Sequence, residues 1–582
     1  MDRITRLTVL GGALLLSAAA PPAAPPFPAP GLSVRLHPGA PDAAGRVPYL
    51  DVAITADAVQ AGTGDKLFEL AAETNTVETS AKAITSLIVR DAAGKVPVTV
   101  TDHPINGSNI DRYWLAGRPV SGRVTISYRV PIDATLPPFV APQYELRTEQ
   151  GTVSGATNTF LMLPADDRAR RLRIGWDLSA MGPDARAASS LGVGDRQGGK
   201  ALTHAELGSI YVMAGHPGLY TSPAGDFFGV WQGKPAFDAD ALMQWAGKLH
   251  RFYGDFFRYM PPRFGVFART NPRNPGSGIG LTDSFAFTFN QTSRAPELRS
   301  LLAHEMLHAW VNSLDGSMDQ AEGLAASWFG EGLAVYYQRL LPWRAGMIST
   351  EDYLDDLNST AGRYYTNALI NLPNDRIPEG FWRDTRIRVL PYDRGSLYFA
   401  KVNVEIEAAS HGRRSLDDLV RTMLAERRAG KPMDLALWKR LLGDALGQKG
   451  LSEFEAMMAG KTVILPSDAF GPCFRRTTVM LRRWQLGFDP ASLVRKPRLV
   501  TGLIPGSNAA RAGLRDGDEI LNHFPQDGPQ GDQKAMLTLE VKRDGRTFPI
   551  TYLPRGEAVP AYRWERNPHA PASCAASGEK DS

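Results

Sequence analysis

The chain of 582 residues holds only two cysteines, Cys473 and Cys574. That scarcity excludes a disulfide-dense scaffold and a cysteine-rich zinc module. Beyond the first twenty residues no stretch reaches the ~20 apolar residues of a membrane helix, so no span is expected in the mature protein. Charge of one sign is lacking too. Its 65 basic and 61 acidic residues leave +4, a balance that names neither nucleic acid nor an anionic membrane surface as partner. Internal repeats are absent. At 43% hydrophobic and 22% charged residues, the composition is that of an ordinary soluble globular protein. The length predicts about three or four domains.

The first feature present is a leader. "MDRITRLTVLGGALLLSAAA" combines Arg3 and Arg6 with an apolar run from Leu7 and small residues behind it. This predicts a secretory signal over residues 1–20, cut near Ala19 or Ala20, and a periplasmic or secreted product. A Pro/Ala-rich spacer follows over 21–31. In an exported chain Cys473 and Cys574, 101 positions apart, are free to pair and tie the C-terminal segment to its own start. The sequence leaves that bridge and two free thiols as alternatives.

From residue 32 to 213, β-rich runs such as "YLDVAITA" and "GRVTISYRV" alternate with Gly, Pro and Asp turns, which predicts a β-sandwich-like domain. The texture then turns helical. "DADALMQWAGKLHRFYGDFFRYM" has apolar residues at helical spacing and ends at Pro261 and Pro262, inside a helix-rich domain expected over 214–470. Short strands return over 474–556, and 557–582 reads as a flexible tail. The fold class expected is multidomain α+β.

The chemistry centres on "LLAHEMLHAWVN", residues 301–312. Pro296 and Glu297 suit a first helical turn, and the leucines behind them keep a helical period. On that helix His304 and His308 project one turn apart on the same side, so both imidazoles reach one ion at ~2.0–2.1 Å. Glu305 stands beside them, suited to take a proton from water as general base. Catalytic zinc takes three protein ligands and an open position. "SWFGEGLAVYYQRLL" offers Glu331, 23 positions after His308, on a second helix that Ser327 is expected to cap and Pro342 to follow. His250 and His411 are the rival third ligands, without a comparable context. A polar helix face without metal is the other reading of the motif.

"HEMLHAW" followed by "WFGEGLAVYY" resembles the gluzincin metallopeptidases, and with the flanking domains the chain resembles the glycyl-aminopeptidase family. The resemblance implies a thermolysin-like, mainly helical catalytic domain, one Zn2+ on His304, His308 and Glu331, and Glu305 as base. "VLPYDRGSLYFAKVNVEI" is similar to the segment that supplies the oxyanion-stabilising tyrosine, which falls on Tyr392, with Arg394 in place of the usual lysine. "WQLGFDPASLV" and "RLVTGLIPGSNAARAGLRDGDEILN" resemble a bacterial PDZ domain, implying a carboxylate-receiving loop at Leu486, Gly487 and Phe488 for a peptide C-terminus. After Asn522 little room remains for the helix that walls such a groove.

Two departures matter. "GSGIGLTDSFAF" lacks the glutamate that holds a substrate amine in these aminopeptidases, leaving Asp283 as a shorter substitute whose facing strand alternation does not fix. The aromatic–asparagine pair after the second histidine reads "AWVN", so Asn312 takes no role. The function implied is an exported zinc peptidase acting on peptides or proteins, aminopeptidase-like. The alternatives are an endopeptidase without free-amine specificity and a non-catalytic peptidase-fold binding protein.

Overall fold

The computed structural model describes residues 29–582 apart from 75–76, 107–108, 133–144, 273, 312–313, 315–320, 525, 572–573 and 575–582. The expected signal, most of the spacer and Asn312 lie outside the described residues. Among those described, no helix is long and apolar enough to cross a membrane.

The N-terminal region is β-rich because its sequence alternates. Gly31–Pro38 buries every second residue, the period of a strand with one face in a core. It lies in a seven-stranded sheet beside Tyr49–Ala61, which pairs in turn with Val120–Pro131. A second sheet is built on Lys66–Thr74 and Asn109–Ala116. Val34, Ile54 and Ile126 of the first share one core with Phe68 and Trp114 of the second.

A third sheet, carrying Thr152–Ala156 and Tyr211–Gly215, joins this region to the next. Met213 and Tyr211 pack with Phe228, Phe267 and Ala286 of a five-stranded sheet in the helical region. That sheet is mixed, and Gly278–Leu281 forms its antiparallel edge against Ser284–Phe289.

The main helices are α1 (Ala239–Phe257), α2 (Ala295–Leu307), α3 (Ala321–Arg344), α4 (Thr350–Tyr365), α5 (Leu390–Ala409), α6 (Leu416–Arg428) and α7 (Leu435–Met458). They enclose one core with the inner face of the five-stranded sheet, centred on Trp310, Trp328, Phe399 and Trp438. One expectation fails in α3. Ser327 does not cap it but lies inside, with its hydroxyl donating to the Leu324 carbonyl at 2.6 Å; such back-bonding lets a buried serine stay helical. Pro342 likewise sits within the helix, in its last turn, rather than beyond it.

Phe474–Trp484 pairs antiparallel with Arg555–Arg566 over most of their length. The tail expected from 557 is therefore strand through Arg566. Trp564 is fully buried in the helical core with Phe474, whereas Trp484 at the other end belongs to a separate small core with Leu486, Phe488 and Val541. This ribbon ties the C-terminal unit, with its sheet of Glu519–Ile520, Leu537–Arg543 and Arg546–Tyr552, to the helices. Cys473 and Cys574 form a disulfide, with Cα atoms 5.4 Å apart.

Candidate active site

α2 opens with Pro296 in its first turn and Glu297 near its positive end, both favourable there. Leu298, Leu302 and Met306 bury one face, which turns His304 and His308 towards α3. His304 Nε2 lies 3.2 Å from Glu331 Oε2 and 3.4 Å from His308 Nε2, and His308 Nε2 is 3.6 Å from the same carboxylate oxygen. A tetrahedral ion with bonds of ~2.0–2.1 Å needs its donors about 3.3 Å apart. The three atoms fit that requirement, and they form the candidate metal group among the described residues.

Both imidazoles are held by their far nitrogens. Gln338 Oε1 lies 2.9 Å from His304 Nδ1, and the Val311 carbonyl lies 3.1 Å from His308 Nδ1. With acceptors at Nδ1, each ring can keep a proton there when its Nε2 lone pair is turned to an ion. Gln338 is fixed in turn, its amide donating to Asp356 at 2.9 Å and to Ser300 at 3.2 Å. Arg339 anchors Asp356 at 2.8 Å. Gln338 follows Glu331 by two helical turns, so the same face of α3 supplies one donor of the candidate group and the clamp on another.

Electrostatics agree with a cation site. Burial disfavours charge on His308, but the Glu331 carboxylate outweighs it and holds the imidazole up at about 9. Burial pushes Glu331 upward, and the two histidines outweigh that, keeping it well below the usual carboxylate range. Without an ion these groups pair with one another; a divalent cation takes over that pairing.

Glu305 is half-buried beside the edge strand Gly278–Leu281. A Cβ on Gly278 would stand 2.9 Å from Glu305 Oε1, so glycine admits this close approach. Strand, Glu305 and His308 line a cavity of about 500 Å³ with Asp283 and Glu206. Asp283 faces it because it occupies the turn between two strands at φ +48°, where strand alternation does not apply. Burial pushes its carboxyl up, while Lys200 pulls it down. Glu206, on a short helix of the N-terminal region, pairs with Lys200 at 2.9 Å.

Tyr392 lies in the first turn of α5, with its ring 6.2 Å from that of His304 and inclined by 20°. Burial, with Glu331 as the next cause, holds its phenol well above the ordinary range. A glycine contact sets this position: a Cβ on Gly395 would lie 2.3 Å from the Trp328 carbonyl, and one on Gly332 2.6 Å from Gly395 Cα. α5 thus crosses α3 at backbone contact, beside Glu331. Arg394 points away, fully buried, donating to the Ile370 and Leu372 carbonyls at 2.8 and 2.7 Å.

The rival ligands are elsewhere. His250 is fully buried between Phe264 and Trp310, both ring nitrogens without a partner. His411 is exposed at φ +53° just after α5. In the C-terminal unit Leu486 and Phe488 are buried, and Gly487 turns at φ +87° against Ala509. Leu486 and Phe488 line a cavity of about 310 Å³ whose far wall is Asp384, Thr385 and Arg386 of the helical region. The helix after Asn522 is reduced to Asp527–Gly531.

Residues 297–370 match the family of M61 glycyl aminopeptidases. Among solved structures, an aminopeptidase N family protein from Idiomarina loihiensis is 14% identical, covering 92% of this chain and 98% of its own, with a TM-score of 0.63. An M1 zinc metallopeptidase from Deinococcus radiodurans is 16% identical, covering 75% of this chain and 95% of its own, with a TM-score of 0.44. No curated protein matches. The fold is thus shared with that aminopeptidase N family protein, and in this chain it runs from a β-rich N-terminal region into a helical one. The resemblance to glycyl aminopeptidases is borne out over the stretch that holds His304, Glu305, His308 and Glu331, which makes the helical region peptidase-like. Tyr392 and the C-terminal unit lie outside that match.

Proposed function

We propose that this chain is an exported zinc-dependent metallopeptidase that cleaves peptide bonds next to a free N-terminus. The observation that carries the reading is the set of three inward donor atoms on His304, His308 and Glu331, spaced at 3.2–3.6 Å, with Gln338 and Val311 holding the histidines from behind. When bound there, Zn2+ supplies Lewis acidity towards a carbonyl and lowers the pKa of water. Glu305, at the cavity wall, takes the proton of the attacking water and passes it to the leaving amine. Tyr392 donates a hydrogen bond to the oxygen on which negative charge develops. The edge strand Gly278–Leu281 presents backbone to an extended substrate.

Free-amine specificity is supported by Asp283, whose carboxylate lines the same cavity as Glu305 and offers the negative charge that the missing glutamate would have supplied. The endopeptidase alternative is favoured by the absence of that glutamate from "GSGIGLTDSFAF". We read the C-terminal unit as a PDZ domain, with Leu486–Phe488 as its carboxylate loop, and residues 1–20 as the export signal. Cleavage of a peptide library with free and acetylated N-termini tests the reading. Free peptides are expected to be cut and acetylated ones spared. Equal cleavage of both makes the chain an endopeptidase, and no cleavage with no zinc removes the enzyme.

A further inference from the structure

Tyr392 is fixed from outside the helical region. The next residue, Asp393, is fully buried and accepts two hydrogen bonds from Arg363 of α4, at 2.8 and 2.5 Å. Arg363 also donates from Nη1 to the Asp527 carbonyl at 3.0 Å. The Asp527 carboxylate in turn accepts from the Thr385 hydroxyl and, at 2.8 Å, from Arg388. Thr385 and Arg388 bound the short helix Thr385–Arg388, which runs through Val389 directly into α5. Gln530 adds a bond to the Thr385 hydroxyl at 3.1 Å, and Gly531 is pressed on Ser359 of α4, where a Cβ would come within 2.3 Å of its hydroxyl. One aspartate of the C-terminal unit therefore grips both sides of the turn that carries Tyr392: its backbone through Arg363 and Asp393, its side chain through Thr385 and Arg388.

We propose that Asp527 is a positioning residue for Tyr392, so that the C-terminal unit completes the catalytic centre rather than hanging beside it. The proposal rests on the reading of Tyr392 as the oxyanion donor. A phenol must stand within hydrogen-bond distance of an oxygen that exists only in the transition state, and a displacement of about 1 Å costs up to ~100-fold in rate. α5 meets α3 in backbone contact at Gly395, and on its N-terminal side the first turn that carries Tyr392 follows directly from Thr385–Arg388. The Asp527 contacts supply that support. They touch neither the zinc ligands nor the cavity, so substrate affinity and metal content are untouched by their loss.

The test is a double-mutant cycle in the full-length zinc enzyme, measured on the best-cleaved peptide of the library. Asp527→Ala is expected to lower kcat roughly 10- to 100-fold, with KM and zinc content within about twofold of wild type. Asp527→Asn keeps an acceptor for Thr385 and is expected to recover part of the loss. In a Tyr392→Phe background, Asp527→Ala is expected to add nothing. Equal loss in both backgrounds, or wild-type kcat for Asp527→Ala, overturns the proposal while leaving the functional reading standing. Wild-type kcat for Tyr392→Phe overturns the reading of Tyr392 itself. If Asp527→Ala does not fold, Thr385→Val, which removes one donor to the same carboxylate, takes its place in the cycle: loss of kcat only where Tyr392 is present supports the proposal, and equal loss in both backgrounds overturns it.

Discussion

Single side chains decide whether the centre holds an ion. Gln338 is an amide where a carboxylate often stands behind a zinc histidine, and its hold on the ring depends on Asp356 and Ser300 fixing it in turn. Replacing it with leucine removes the acceptor at His304 Nδ1 and frees the ring to rotate. Zinc affinity is expected to fall about 10- to 100-fold, read by competition with a chelator, and Gln338→Glu to restore it. His250 makes a prediction of the opposite kind. Burial lowers its pKa from 6.5 to about 4, so between those values the unfolded chain binds a proton that the folded one refuses. Its contribution is complete above about pH 6.5 and is lost as the pH falls towards 4, a change of roughly 3 kcal/mol. Urea midpoints at pH 7 and pH 4.5 should separate less in His250→Leu than in wild type.

At the scale of elements, the crossing of α3 and α5 sets the distance between Glu331 and Tyr392. Gly395→Ala places a methyl against the Trp328 carbonyl, expected to cost about 1–3 kcal/mol and to lower kcat with zinc retained. Thermal melting, metal analysis and the cleavage rate of one preparation check all three. The helices and the convergence of His304, His308 and Glu331 were legible in the sequence because a metal site would need its donors at helical spacing. Gln338 carried a signal as well, two turns beyond Glu331, but glutamine at an exposed-looking position has many readings. The facing of Asp283 was not legible, since a positive-φ turn breaks the alternation that predicts sidedness. Nor was the interior place of Ser327, whose hydroxyl satisfies itself within the helix. The strand through Arg566 was hidden by reading "AVPAYRWER" as the start of a tail, because its partners, Arg482 back to Phe474, lie far upstream.

Across the whole molecule, the ribbon of Phe474–Trp484 and Arg555–Arg566 and the Cys473–Cys574 bridge bind the C-terminal unit to the helical core. The bridge joins cysteines 101 positions apart, so its removal in Cys574→Ser is expected to cost about 2–5 kcal/mol, read as a lower denaturant midpoint. An unchanged midpoint would mean that the ribbon alone holds the unit. The central claim concerns the centre these parts surround, and zinc per chain with peptide cleavage in wild type, Glu305→Gln and Glu331→Ala tests it most directly. One zinc in wild type and in Glu305→Gln, none in Glu331→Ala, and cleavage by wild type alone is the predicted result. Full zinc in Glu331→Ala, or wild-type cleavage by Glu305→Gln, would contradict it.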